Sequence, residues 1–227
     1  MKYTAINSKL HSRNREKLVG KIEKNSIVIV QSNDQMPRNG DQFFPFRQNS
    51  SMFYFTGIEQ EKSVLVIDKN TRGVKTEVLF LLKPNKDLEI WEGHKLTKGE
   101  ALEVSGIEDV RWLEEFDTYI QLKAVERERL YLNVPENPKF QTAVKGPEIR
   151  MYEMLKDKFP LHSYQRLAPI VQSLRVIKEH EELEILKKAC KITKEAFLRV
   201  LDKTQSGVME FEIEAEITYE FLKQGSS

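Results

Sequence analysis

The sequence holds a single cysteine, Cys190, in 227 residues, which excludes an internal disulfide framework and fits a reducing compartment. No apolar run approaches the ~20 residues that a membrane span needs; the stretch at 78–82 is among the longest. Neither sign of charge dominates, with 36 Lys+Arg against 35 Asp+Glu. The basic excess of a nucleic-acid footprint is therefore missing, and neither nucleic acid nor a membrane is expected as a partner. Residues 1–9 lack the apolar segment of a secretory leader, so a cytoplasmic protein is expected. Histidine is scarce too: His11, His94, His162 and His180 are the only four. Only His180 stands in a metal-like context, His180-Glu181-Glu182-Leu183-Glu184. A zinc-protease helix needs a second His at the fifth position. Glu184 stands there, so the segment reads as an acidic helix start opposing the helix dipole. No Gly-x-Gly-x-x-Gly, Walker loop, Gly-x-Ser-x-Gly or Cys-x-x-Cys occurs. Read from its residues alone, the chain shows no complete active site.

What is present is the composition of a soluble globular protein, 40% hydrophobic and 31% charged, long enough for one large or two modest domains. The patterning predicts a helix over 8–24, a buried strand over 26–31, and further strands over 52–56, 64–68 and 77–82, the last two forming a hairpin. Thr97 with Glu100 is a capping-box pattern opening a short helix that ends before Gly106. Short strands follow at 110–112 and 129–133, with a helix over 113–124 between them. Pro135 and Pro138 break regularity, and Pro147 suits the first turn of a helix over 148–159. Alternation of this kind predicts an α/β fold, a mixed β-sheet with flanking helices. From Lys178 the character changes to two long amphipathic helices, 178–201 and 208–224, separated at Ser206-Gly207. Their wide apolar stripes have no following sheet to cover, which predicts a truncated second domain and some self-association. Cys190 falls on the apolar side of the first and is expected to be buried and inert. Glu210, Glu212, Glu214, Glu216 and Glu220 are expected to form a solvated face with i,i+4 partners.

Two loops stand out. Five of the twelve Phe residues lie between positions 43 and 55, beside Arg38, Asp41 and Arg47. An Asp–Arg pair in such company predicts an ordered loop under aromatics, pinned to the sheet by a buried ion pair; a substrate contact is the alternative. Trp91, between a strand and a helix, either serves a contact surface or covers its own domain's core.

The stretch Pro37-Arg38-Asn39-Gly40-Asp41, followed by Phe44-Pro45-Phe46-Arg47-Gln48-Asn49-Ser50 and Phe53-Tyr54-Phe55-Thr56-Gly57, resembles the signature of the N-terminal domain of Xaa-Pro aminopeptidases, in the creatinase/prolidase superfamily. Glu89-x-Trp91-x-Gly93 continues it. The segment 174–185 with Ala189 and Ile192 is similar to the linker and first helix of the catalytic domain, and 212–225 to its second helix. The resemblance implies a creatinase-like accessory domain over 1–173, then a linker and the first two helices of an incomplete pita-bread domain over 174–227. For the parent it implies two divalent metals, usually manganese, held by two Asp, one His and two Glu. These would activate a hydroxide that attacks the bond preceding proline. All of those ligands match positions beyond Ser227, so no metal and no catalytic residue is expected in this chain, and the chain alone is expected to be inactive. Trp91 matches a Trp that, in tetrameric members, reaches toward a neighbouring subunit's active site. Asp41 matches an acidic position on the loop bordering the cleft. With Arg38 and Arg47 they are the candidate cleft or subunit contacts. The implied partners are peptides with proline at the second position and further copies of the chain, in a homo-oligomer. The resemblance also admits a prolidase, or a non-catalytic peptide- or protein-binding module of the kind found in histone chaperones, because a fold does not fix a function.

Overall fold

The computed structural model describes residues 6–137, 139 and 143–226; Pro138 lies outside them. These residues divide into two compact units, Ile6–Val176 and a second from Ile177 onward.

The first unit is built on a six-stranded sheet. Strand β1 (Ser26–Gln31) is buried at every position. It pairs antiparallel with β4 (Val64–Lys69) and parallel with β7 (Arg129–Leu132). The strand β5 (Lys75–Leu81) continues beyond β4 as the expected hairpin. Parallel additions of β6 (Asp109–Trp112) and β8 (Ser163–Arg166) complete the order β6-β5-β4-β1-β7-β8. The unbroken Ile27-Val28-Ile29-Val30 run is explained by cover on both faces. Val28, Val30, Leu65, Ile67, Leu79 and Leu81 share one core cluster, while Ile27, Ile29, Val66, Val78, Phe80 and Leu130 belong to the other. The first is closed by helices α1 (Ser8–Lys21), α2 (Ser50–Thr56), α4 (Lys98–Ser105) and α7 (Ala168–Val176), and the second by α5 (Phe116–Val125) and α6 (Pro147–Lys158). The capping box of Thr97 and Glu100 opens α4 as the pattern predicts, and Pro147 opens α6. Strand β8, helix α7 and a small hairpin, β2 (Pro37–Asn39) with β3 (Gln42–Phe43), have no clear sequence signal.

Residues 52–56 are not a strand. They form α2, with Asn49 as N-cap accepting from the Ser51 and Met52 amides, and Gly57 closing it in the left-handed region at φ 69°. The burial that suggested a strand is real, but caps at both ends decide for helix. The orphan carbonyls at its C-terminus are met by side chains of α1. His11 Nδ1 and Asn14 Nδ2 donate to Tyr54 O at 3.0 and 3.2 Å, and Arg15 donates to Phe55 O at 2.7 Å.

That arrangement fixes the charge of His11. Its Nδ1–H is committed to a carbonyl, and its Nε2 is buried against Gly57 without a partner among the described residues. Burial lowers its pKa below the ordinary 6.5, outweighing the Tyr54 carbonyl that raises it, and Arg15 lowers it further. A His whose folded pKa is depressed leaves the protein fully stable above the unfolded value. Stability is then lost as pH falls below about 6.5, where only the unfolded chain takes up the proton. The expected result is a urea midpoint that declines between pH 7.5 and 5, with His11→Gln flattening that part of the profile relative to the unsubstituted chain.

In the second unit, α8 (His180–Lys203) and α9 (Glu210–Lys223) pack on each other. One expectation fails here and a second holds only in part. Cys190 is exposed, because α9 covers only part of the apolar stripe: Ile192 and Ala196 are buried while Leu186 and Phe197 stay exposed. The glutamate series follows its expectation in part: Glu210, Glu212 and Glu214 are exposed and Glu220 has an i,i+4 partner in Gln224, but Glu216 and Glu220 leave the solvated face. Glu216 pairs with Arg199, and Glu220 is 8% exposed and accepts from Gln224 Nε2 at 2.8 Å. Residues 216 and 220 are four apart, so both lie on the side of α9 turned inward.

Candidate functional site

Register places the two loops singled out above at one end of the sheet. Gln31, Val64 and Phe80 are aligned partners across β1, β4 and β5. The chain leaves β1 after Gln31 and β5 after Leu81 in the same direction, because each runs antiparallel to β4 between them. The segment carrying Arg38, Asp41 and Arg47 and the segment carrying Trp91 therefore emerge from one edge, separated by the 57–63 segment that enters β4.

One buried side chain anchors the first segment. Gln48 donates from Nε2 to Ile58 O and Gln60 O, both at 3.0 Å, and its Oε1 accepts from the Asn49 amide at 2.7 Å. Asn49, besides capping α2, donates from Nδ2 to Glu148 Oε1 at 2.7 Å. Glu148 is 8% exposed at the start of α6, and burial pushes its carboxyl up. The second segment is tied to the same place from the other side. Gln60 Oε1 accepts from the Leu96 amide at 2.8 Å, and Lys95 pairs with the largely buried Glu61. The short run from Ile58 to Glu61 thus staples both loops to the sheet edge. Gln48→Ala removes two donors to buried carbonyls and should cost about 1–3 kcal/mol. The expected readout is a lower urea midpoint together with faster proteolysis within residues 32–49.

Beyond these anchors the loops are open. Arg38, Asp41 and Arg47 are all exposed, and among the described residues Asp41 forms no ion pair with either arginine. The buried pair expected from the sequence is absent because every residue of β2 and β3 is exposed, in a two-stranded sheet of its own. Asp41 sits at its turn beside Gly40 (φ 56°), and the Arg38 guanidinium lies 5.8 Å from the Phe44 ring centroid. Phe43 and Phe44 remain half exposed. Trp91 lies on the single-turn helix α3 (Glu89–Glu92) and is 85% exposed, with Ile90 beside it equally bare. Trp91 therefore covers no core of its own domain. Phe43, Phe44, Ile90 and Trp91 thus leave four large apolar side chains open to solvent on these two loops. Sequence reasoning singled out the exposed residues but not their anchors. Gln48 and Asn49 lie within the quoted signature but without an assigned role, and Gln60 and Glu148 lie in no motif, although Asn49 and Gly57, seven residues of helix apart, are a legible pair of caps.

As a site this edge can bind and orient, through exposed aromatic rings, a carboxylate and two guanidinium groups. Among the described residues no group of three or more His, Cys, Asp or Glu could hold a metal ion.

The aminopeptidase P N-terminal domain family matches residues 11–131. The Xaa-Pro aminopeptidase of Escherichia coli K12 is 27% identical over 94% of this chain and 49% of its own length. A Bacillus anthracis protein described as an aminopeptidase P superimposes at a TM-score of 0.88, with 27% identity, over 97% of this chain and 52% of that one. E. coli aminopeptidase P, solved with the inhibitor Pro-Leu and in zinc-substituted form with product, superimposes at 0.84 with 25% identity, over 98% of this chain and 51% of that one. The chain spans about half the length of the curated relatives it matches.

Proposed function

The chain belongs to the aminopeptidase P N-terminal domain family, and on that premise we propose that it forms the N-terminal part of an Xaa-Pro aminopeptidase, which removes the residue preceding a proline. On this reading residues 1–173 are the accessory domain, and 174–227 are the linker and first two helices of a pita-bread domain. The full-length protein would bind two divalent metals, manganese foremost, through residues outside this chain, and would act in the cytoplasm as a homo-oligomer on peptides with proline at the second position. The zinc-substituted form of the E. coli relative supports a metal-dependent parent, and its Pro-Leu complex supports a peptide substrate. Among the described residues no helix is long and apolar enough to cross a membrane.

The role proposed for this chain is to shape the substrate cleft rather than to do its chemistry. The observation that carries it is the stapled edge, where Trp91 and the Arg38–Asp41–Arg47 hairpin are held at their bases and left bare at their tips. A rigid aromatic side chain loses little entropy on contact, which makes an exposed Trp on an anchored loop a strong binding element. Trp91→Ala in the full-length enzyme should lower kcat/KM by about tenfold, the ~1.4 kcal/mol scale of one good contact. The circular dichroism spectrum should not change, since Trp91 supports no core. Unaltered kcat/KM would remove Trp91 from the cleft.

A further inference from the structure

His94 stands between two carboxylates that belong to different elements. Its Nδ1 lies 2.7 Å from Glu89 Oε1 on α3, and its Nε2 lies 3.0 Å from Glu100 Oε1 in the first turn of α4. An ionised carboxylate only accepts, and a neutral imidazole carries one N–H, so both contacts are hydrogen bonds only when the ring is an imidazolium. The charged groups facing the ring are Glu89 from α3 and Glu100 from α4; Lys95, next in sequence, is turned to Glu61. Glu100 is a fixed post, because its Oε2 also accepts from the Thr97 amide and hydroxyl at 2.8 Å each.

Helix α3 depends on this contact. It is four residues long, buries none of them, and has no side-chain cap at Leu88. A single turn of that kind is far below the length at which a helix holds itself. Asn85 turns the chain into it, accepting from the Asp87 amide at 3.0 Å, while the Lys95 and Leu96 ties fix only the chain beyond His94. Resting on the reading of Trp91 as a cleft contact, we propose that His94 is the positioning residue for Trp91. As imidazolium it clasps α3 to the first turn of α4 and orders the indole; as neutral imidazole it lets one end go. The hydrogen bonds that the ring donates to Glu89 and then to Glu100 raise the pKa of His94 above 6.5, so the clasp is closed below that raised pKa and opens as pH climbs through it. Because the three groups are exposed, salt weakens the clasp.

The test uses the 227-residue chain. In wild type, the His94 Cε1–H resonance should titrate with a midpoint above 6.5 that moves down toward 6.5 as salt is added. In a Trp112→Phe background, where Trp91 is the remaining tryptophan, fluorescence anisotropy should show fast indole motion increasing through the same transition. His94→Gln should give the mobile state at every pH and no transition, and His94→Arg, a cation throughout, should hold the ordered state to pH 9. A His94 midpoint at or below 6.5, or Trp91 motion that does not follow it, overturns the proposal; the resonance alone decides this if a variant fails to fold. None of these readouts involves peptidase activity. If Trp91→Ala leaves kcat/KM of the full-length enzyme unchanged while the titration persists, the cleft reading fails and the clasp stands.

Discussion

Arg15→Ala should destabilise the first unit by about 3–5 kcal/mol, the range seen when one partner of a buried ion pair is removed. Arg15 is 1% exposed and joins three elements. Its Nε donates to Glu77 on β5 at 2.9 Å, and one terminal nitrogen donates to Phe55 O at the end of α2 and to Ser105 O at the end of α4, at 2.7 and 2.9 Å. Truncation leaves a carboxylate that is 15% exposed with one partner, Lys75, and two buried carbonyls without this donor. Glu77→Gln separates the contributions. It keeps a neutral acceptor for Arg15 and should cost clearly less than Arg15→Ala if the carbonyls at the two helix ends supply much of the effect. Arg15→Lys should recover little, since one ammonium cannot reach three directions from a planar fork. Urea unfolding of the three variants reads the result, and equal costs for Arg15→Ala and Glu77→Gln would reduce the site to an ion pair.

Gly57→Ala should be nearly as damaging, at about 3 kcal/mol or more. The left-handed backbone at φ 69° costs roughly 1–2 kcal/mol for any residue with a Cβ, and the added methyl would meet His11 Nε2 at 2.5 Å. The His11 ring cannot swing away cheaply, because its Nδ1 is bound to Tyr54 O in a buried position. A double-mutant cycle with His11→Ala isolates the clash. The second substitution should return the steric part of the loss and leave the backbone part, a coupling of about 1–2 kcal/mol between residues in contact. Strict additivity would mean that the backbone conformation accounts for the whole effect.

Most of the sheet was legible because its signals are local. The Ile27 to Val30 run, the 64–68 and 77–82 pair and the Thr97–Glu100 box each declare an element within a few residues. The rest is decided by partners distant in sequence or by helix caps. Residues 52–56 are apolar enough for a buried strand, and only Asn49 and Gly57 reveal the helix. The Phe residues crowded around Asp41 and the arginines suggest a buried pair, yet β2 and β3 form an exposed hairpin that no hydrophobic periodicity announces. Cys190 and Glu220 depart from expectation together, since the stripe on each helix shows which side is apolar but not how far its neighbour covers it. The anchoring roles of Gln48, which lies within the quoted signature, and of Gln60 are not legible for the same reason. Their partners are backbone carbonyls and amides, which every residue possesses.

The central claim is that this chain is the non-catalytic N-terminal part of an Xaa-Pro aminopeptidase, and hydrolysis of a peptide with proline at the second position tests it most directly. With manganese added, the full-length product of the gene should release the N-terminal residue, and the purified 227-residue chain should release none. Cleavage by the 227-residue chain, or none by the full-length protein under any divalent metal, would contradict the account.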